Sequence, residues 1–579
     1  MTSWQQREQS RDMLSREVGT IRKAHHQRLR VALAFPNTYF VGMSNLGFQT
    51  AYRLFNEPDE VVCERVFLPP KQELQQRLAS GRRLTTIESQ TPLHEFDVIA
   101  FSVSFEWDYT NLVTMLRLAG LPSRAEERQE RYPLVVLGGA VSFLNPEPLA
   151  LFVDVVCAGE GEVLIPELLS AIRAAPSRRA LLDDLAGRPG MYVPALVDVT
   201  HDADGRTLAF TPVKEGVCLP VRKAVLRTQA LAAPPATVVF TPDTEFGSRL
   251  LVEVVRGCAN LCRFCWAGYN YLPVRAFDAG RILAIAEAAR PHSSRVGLVS
   301  IALCDHPEID RILSRLVEMG YGISPASLRL DDLTAPIVQL LRASGERTIT
   351  IAPETGSDRL RRVINKTVTN EQILDRAELV FATGIENLKL YYMIGLPTET
   401  DEDLVAIRDL TTAIRERMLR HARGRGAIGR IVASVNPLVP KPGTAYQWWP
   451  MEAQAVTERK MKRLRQLVSG LDNVYFTIKS ERHSYYQALL SLGDRRVAPV
   501  IEAAERNGGQ WRAAAAEAGV DPDWYVFRDR SADAVLPWDV LDAGLKPAFF
   551  RAEFARGLDA QWTLREPAAA LPAPGVTPP

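Results

Sequence analysis

The sequence predicts an α/β protein: a doubly wound parallel-sheet domain, then a partial barrel of six strand–helix units, then a helical carboxyl-terminal region. Three observations carry this. Short apolar runs alternate with helix-period segments from about residue 29 to 175. The alternation starts afresh at Leu250, and from about Trp448 it gives way to helical, aromatic segments. The chain has 579 residues, 46% hydrophobic and 24% charged, an ordinary globular composition with room for roughly three to four domains. Its 69 lysines and arginines nearly cancel 68 aspartates and glutamates. A net charge of +1 offers no overall field for nucleic acid or an anionic membrane. No apolar run reaches the roughly 18 to 20 residues of a bilayer span, and the start MTSWQQREQSRDMLSREVG lacks a signal-peptide centre. A cytoplasmic protein without a membrane role is expected.

Residues 1–28 form a polar, helical lead-in. In the first domain, residues 29–175, LRVALAF (Leu29 to Phe35) reads as a buried strand and a helical pattern runs from about Gly47 to Phe55. VVCERVF, FDVIAFSVSF, YPLVVLGG and FVDVVCAG continue as strands, separated by segments such as TNLVTMLRLAGL and EVLIPELLSAI. Near-continuous apolar runs suit a parallel sheet covered on both faces, and ligands of such sheets sit beyond the carboxyl ends of the strands. The loops there are PNTYFVGMSNLG, EWDYTN, GGAVSFLNPEP and GEGE.

Residues 176–245 are a proline-punctuated connector with some strand pairing. The barrel, residues 246–447, takes its strands from LLVEVVRG, RVGLVSIAL, ISPASLRL, RTITIAPE, IENLKLYYMIGL and RIVASVNPLVP, with helices near residues 278–290, 307–319, 332–344, 370–383 and 401–421. Its chemistry is expected at the carboxyl ends of the strands. Residues 448–563 read as helical. The tail, residues 564–579, is rich in proline and alanine and is expected to be disordered.

Seven cysteines, an odd and sparse set, argue against a disulfide framework. Cys63, Cys157, Cys218 and Cys304 stand alone in or beside apolar stretches and read as small buried side chains. Cys258, Cys262 and Cys265 are clustered in RGCANLCRFCWAG, with the spacing C-x3-C-x2-C directly after the first barrel strand. Three thiolates on one loop suit three irons of a [4Fe-4S] cluster and leave the fourth iron open. A zinc site would need a fourth ligand, for which Cys304 or His306 is the candidate.

C-x3-C-x-aromatic-C at the head of a partial barrel resembles the radical S-adenosylmethionine (SAM) superfamily. The segments ASLRLDDL, APETGSDRLRRVINK and MIGLPTETDEDL resemble later strands and loops of members that carry a cobalamin-binding domain. AFPNTYFVGMSNLGFQTAYRLFN, CERVFLP, FDVIAFSVSFEWDYTNLVTMLRLAGLP, LGGAVSFLNPEPLALFVD and GEGE resemble the amino-terminal domain of one such family, whose substrates are largely unassigned. VPKPGTAYQW, GDRR and LPWDVLDAG are similar to its carboxyl-terminal region.

The resemblance implies three cofactors: a [4Fe-4S] cluster on Cys258, Cys262 and Cys265, SAM chelating the open iron, and cobalamin. Phe264 would lie near the adenine of SAM. Glu354 and Ser357 would meet its ribose or methionine end, Ser327 and Arg329 its carboxylate. Gly395, followed by Leu396 and Pro397, would let backbone approach the adenine, or makes a simple turn. Arg329 and Glu354 are alternatively an ion pair at the barrel mouth. Gly138 and Gly139, with Gly159 and Gly161 near the sheet's switch point, would let the cobalamin nucleotide tail pass close to backbone, or make ordinary tight turns. The chain has no D-x-H-x-x-G, so a histidine reaching cobalt from below is not expected.

The activity implied is reductive cleavage of SAM to a 5'-deoxyadenosyl radical, for cobalamin-dependent C-methylation of an unactivated carbon in an unidentified substrate. Flavodoxin or ferredoxin is the kind of electron donor required. A radical rearrangement, cyclisation or oxidation is the alternative chemistry. An RNA- or ribosome-associated protein with a structural cluster is the alternative of another class, prompted by the basic runs RERMLRHARGRGAIGR and ERKMKRLR. Such runs are more often solvated helix faces and loops, so nucleic acid is not expected as a partner.

Overall fold

The structure, a computed structural model, describes residues 3–227, 233–325, 328–423 and 428–563. Its first sheet contains β1 (Leu29–Phe35), β2 (Val61–Phe67), β3 (Val98–Ser102), β4 (Leu134–Gly138), β5 (Val155–Cys157) and β6 (Met191–Tyr192), in the order β2-β1-β3-β4-β5-β6. The first five strands are parallel and β6 is antiparallel to β5. Alternate residues of the strands feed two cores, as a period of two requires. Val31, Leu33, Val98 and Ala100 pack with Phe48, Tyr52, Leu164 and Leu168 on one face. Ala32, Ala34, Ile99 and Phe101 share the other core with Leu489, Val500, Ile501 and Trp511. The carboxyl-terminal helices therefore form the second helical layer of the first domain.

The strand order places the switch point between β1 and β3. This corrects one expectation: Gly159 and Gly161 follow β5, two strands from the switch point. The sheet also outruns the expected boundary at residue 175, because β6 lies at its edge. The lead-in is helical only over Ser3–Ser15. Beyond β6 come a hairpin, β7 (Val197–His201) with β8 (Thr207–Pro212), and the short β9 (Val221–Arg222).

The barrel's strands are β10 (Leu250–Arg256), β11 (Arg275–Ala276), β12 (Arg295–Ser300), β13 (Gly322–Pro325), β14 (Thr348–Glu354), β15 (Asn387–Ile394), β16 (Ile431–Pro437) and β17 (Val474–Ile478). They form two four-stranded sheets, β11-β10-β12-β13 and β14-β15-β16-β17, parallel except for β11. One core runs between both sheets and the helices that cover them, joining Val252, Val296, Ile351, Leu390 and Ala433 to Ile282, Ile312, Val338, Val380 and Ile407. β17 falls in the region expected to be helical. A last strand, β18 (Leu541–Asp542), pairs with β9 and ties the carboxyl-terminal region to the connector. The proline-rich tail, residues 564–579, lies outside the described residues.

Candidate functional site

β10 ends at Arg256 and turns into the cysteine loop through Gly257, at φ +98°, where a Cβ would stand 2.5 Å from the carbonyl oxygen of Tyr271. Only glycine fits that turn. Cys258 is buried, Cys262 and Cys265 partly so, and Cys265 opens the short helix Trp266–Asn270. The three thiols interact electrostatically with one another. Burial pushes Cys262 up to about 12 and raises Cys265. A metal taken up here would have to expel the protons of Cys262 and Cys265.

Among the described residues no three His, Cys, Asp or Glu side chains converge on a single-ion site. Three thiolates on one zinc at about 2.3 Å would all lie within about 4 Å of each other. Among the described residues, neither candidate for a fourth zinc ligand joins the three thiols. His306 is buried with Nε2 against the Phe277 carbonyl oxygen (2.6 Å), while Nδ1 accepts from the Glu308 amide (3.0 Å). Cys304 lies 3.9 Å from the carbonyl oxygen of Asp332. A loop offering three separated thiols to a multi-iron cluster fits better.

The loop is held from behind by a residue that the sequence reading passed over. Arg263, between the second and third cysteines, is fully buried, and its guanidinium donates to Glu553 (3.2 Å), the carbonyls of Arg362 (2.7 Å), Val363 (3.0 Å) and Gln561 (2.8 Å), and Thr563 Oγ1 (3.2 Å). Asn365 adds Nδ2 bonds to the carbonyls of Asn260 (3.1 Å) and Leu261 (3.2 Å). Leu261, Asn365 and Glu354 all hold left-handed backbone, at φ 50°, 54° and 64°. Strain of that kind gathers where the surroundings must fix a geometry.

Of the residues expected to meet SAM, Phe264 belongs to this loop, and Glu354 and Arg329 reach it through Cys262 and Asn260. Phe264 packs against an apolar cluster with Leu360, Leu396 and Leu438. Glu354, at the end of β14, pairs with Lys366 at 3.4 Å, and both act electrostatically on Cys262. Arg329 is committed to Asp305 (2.5 Å) and Asp332 (3.3 Å), with Nη1 3.4 Å from Asn260 Oδ1. An Arg329–Glu354 ion pair is thus not formed, because each has found a nearer partner. Ser357 caps the helix Asp358–Val363 by accepting from the Leu360 amide at 3.2 Å. Gly395, at φ +77°, gives its amide to Glu399 (3.0 Å). Ser327 lies outside the described residues.

Beside the cysteine loop lies a cavity of about 740 Å³. Ser102 at the end of β3 lines it with Ser104 and Glu106 beyond, Gly138 at the end of β4 with Gly139 beyond, and Gly159 to Glu162 from the loop after β5 and the start of the next helix. The barrel contributes Glu253, Arg256, Gly257 and Ser300, and the helix after Cys265 contributes Trp266. Lys441, in the loop after β16, and Gln487, from the helix Glu481–Leu492, complete the wall. Glu106 is buried between these last two, ion-paired with Lys441 and accepting from Gln487 at 3.2 Å. Phe143, Trp266 and Tyr271 form an aromatic group on the side nearest the cysteines, with centroids 5.3 to 5.8 Å apart. The Trp266 Nε1 is buried without a hydrogen-bond partner. No histidine lines the cavity among the described residues.

The four glycines expected to make room for a cofactor all line this cavity, but they divide. A Cβ at Gly139 (φ +90°) would stand 2.4 Å from the Val103 carbonyl oxygen, and one at Gly159 (φ +141°) 2.2 Å from that of Ala224. The chain's own backbone demands these two. At Gly138 the nearest atom is 3.7 Å away, and at Gly161 3.4 Å, so the chain itself leaves room for a methyl group there. Of the isolated cysteines, Cys63 and Cys157 are buried, whereas Cys218 is exposed and Cys304 only partly covered, contrary to expectation.

Two family models match the chain. "Radical SAM proteins, N-terminal" covers residues 47–194, and "Radical SAM superfamily" covers residues 252–411, together more than half of the sequence. The chain belongs to the radical SAM superfamily. The second match begins within β10, contains the whole cysteine loop and runs past β15, and the first ends just past β6. An uncharacterized protein of Methanocaldococcus jannaschii is 25% identical to this radical SAM protein over 422 residues, 72% of this chain and 82% of the relative. Among solved structures, the radical SAM methyltransferase TsrM of Kitasatospora setae, with cobalamin and a [4Fe-4S] cluster bound, is 13% identical with a TM-score of 0.48, covering 85% of this chain and 99% of that one. The cobalamin-dependent SAM radical enzyme OxsB, with aqua-cobalamin and SAM bound, is 14% identical with a TM-score of 0.42, covering 83% and 68%. No described helix is long and apolar enough to cross a membrane.

Proposed function

We propose that this radical SAM enzyme binds a [4Fe-4S] cluster through Cys258, Cys262 and Cys265, cleaves SAM there, and holds cobalamin in the neighbouring cavity to methylate an unactivated carbon. The observation that carries the reading is the shared wall: Arg256, Gly257 and Trp266 line the cavity and also flank the three cysteines. When bound, cluster and SAM supply a carbon-abstracting radical and cobalamin supplies a transferable methyl group.

The chain's residues do the positioning. Arg263 and Asn365 hold the loop so that the thiols need little rearrangement to take iron. Phe264, backed by Leu396 and Leu438, is a flat apolar bed suited to the adenine. Glu354 and Lys366 offer an acceptor and a donor beside Cys262. Arg329 has its guanidinium engaged by two carboxylates, so it orders the loop through Asn260 more readily than it grips a SAM carboxylate. Phe143, Trp266 and Tyr271 keep water from the space between loop and cavity. Gly138 and Gly161, whose missing side chains the fold does not require, leave that space to a ligand. An external one-electron donor such as flavodoxin or ferredoxin serves the cluster.

The basic runs support no second reading: a few of their charges are paired within the chain, and Arg459, Lys462, Arg463 and Arg465 stand on the exposed face of the helix Gln454–Val468 with nothing that points to a ligand. Lys460 pairs with Glu399 and Glu452, and Arg420 and His421 with Glu378.

The test is an anaerobic iron, sulfide and cobalt count on protein reconstituted with hydroxocobalamin and desalted, followed by product masses. About four irons and stoichiometric cobalt, with a product heavier by CH2 and two SAM consumed per turnover, are expected. Iron without cobalt would overturn the cobalamin part and leave a radical rearrangement or oxidation.

A further inference from the structure

Between the cavity and the cysteine loop lies a buried charge cluster that the chemistry above does not use. Arg256 and Arg275 are direct cross-strand partners in the β10–β11 ladder. Like charges in that position repel. Glu253, on the same strand as Arg256, answers one of them with bonds of 2.9 and 2.7 Å. The rest of the compensation comes from the other domain, from the GEGE segment at the end of β5. Glu160 accepts a two-pronged contact from Arg275 (2.6 and 2.8 Å) and lies 3.1 Å from Arg256. Glu162 takes a further bond from Arg256 at 2.7 Å. The Leu226 amide donates to Glu160 at 2.7 Å, and the Glu160 amide donates to the Ala224 carbonyl at 3.0 Å, which binds the connector into the same knot.

We propose that Glu160 and Glu162, clasping Arg256 and Arg275, are positioning residues that set the distance between whatever fills the cavity and the cysteine loop. The proposal rests on the cobalamin reading above. Glu160 and Glu162 line the cavity, and Arg256 stands two residues before Cys258, so a single ion-paired link joins cavity wall to cluster ligand. A forked guanidinium–carboxylate contact fixes orientation as well as distance, which a greasy domain contact does not. Each half is incomplete alone. The barrel hairpin presents two facing guanidiniums against one carboxylate, and the GEGE segment presents two carboxylates without a guanidinium of its own. Transfer between two centres is steeply sensitive to such a distance, since a displacement of about 1 Å costs on the order of 100-fold in rate.

The experiment uses full-length protein carrying cluster and cobalamin, and compares wild type with Glu160→Gln by pulsed electron paramagnetic resonance of the separation between cob(II)alamin and the reduced cluster. Iron and cobalt contents within twofold of wild type are expected, with a distance distribution at least twice as broad and several-fold more SAM cleaved per product. Arg275→Lys, which keeps the charge and loses the fork, should broaden the distribution as well. An unchanged distribution with unchanged coupling overturns the proposal. So does selective loss of cobalt in Glu160→Gln, which would make Glu160 a cofactor contact. Should Glu160→Gln not fold, Glu162→Gln decides, with the same readouts and a smaller broadening expected. Wild-type protein that takes up iron but no cobalt removes the cobalamin reading and this proposal together. Cobalt present in both proteins with identical distances removes this proposal alone.

Discussion

Cys258, Cys262 and Cys265 lie on one loop after one strand, whereas the cavity beside them is walled by loops after β3, β4, β5, β10 and β16 and by a helix that begins at Glu481. The first region gathers its reactive atoms locally and is braced by distant residues. The second gathers even its lining from a distance. The difference predicts how each fails: the loop through single side chains, the cavity through small changes of shape.

The largest effect is expected from Cys262→Ala. If the three cysteines ligate the cluster as proposed, removing one should abolish cluster assembly and reductive SAM cleavage, measured as iron content and 5'-deoxyadenosine formed, while the circular dichroism spectrum stays native. Full cleavage by that variant would show that the loop does not ligate iron.

Next comes Arg263→Ala. It removes a fully buried guanidinium from five acceptors and leaves Glu553 with Arg556 and Thr563. Breaking a buried pair from one side costs about 3 to 5 kcal/mol, so the melting temperature should fall and iron occupancy with it. If iron occupancy held while stability fell, Arg263 would be structural only.

These two variants also mark what could be read in advance. The spacing of three cysteines is a local pattern. Arg263 sits in plain view inside it, yet its meaning depends on Glu553, 290 residues away. The same holds for Arg329: a lone arginine at a barrel mouth suggests a carboxylate ligand, and only the fold reveals Asp305 and Asp332 beside it. The parallel strands of the first domain were legible because both faces are buried and the runs are continuously apolar. β17 was not, since as an edge strand it alternates half-buried and exposed residues among helices. The cavity left one legible trace, its glycines, and that trace was ambiguous because strand-to-helix turns use glycine too.

A pair of substitutions resolves the ambiguity. Gly139→Ala forces a side chain into left-handed backbone against the Val103 carbonyl and should cost about 1 to 3 kcal/mol from conformation alone. Gly138→Ala meets nothing closer than 3.7 Å and should leave the melting temperature nearly unchanged, while lowering the cobalt retained after desalting. Equal cobalt retention in Gly138→Ala and wild type would mean that no ligand approaches that backbone.

The smallest effect concerns the switch point itself. Asp108 follows β3 and accepts from the amides of Asn37 (2.9 Å) and Asn111 (3.3 Å), which join the loops after β1 and β3. Burial raises its carboxyl to about 6, against the opposing pull of those two amides. In the unfolded chain the same group titrates near its usual value of about 4. Between these two values the folded state binds more protons than the unfolded one, so stability falls as pH rises through about 4 to 6 and the cost is complete above that window. Two pKa units bound the cost at about 3 kcal/mol. Asp108→Asn keeps an acceptor for both amides and removes the charge. Its melting temperature should exceed that of wild type at pH 7.5, and the difference should shrink toward pH 5. A difference independent of pH would mean that the carboxyl is ionised in both states, and that the switch point, unlike the cysteine loop, holds its charge without penalty.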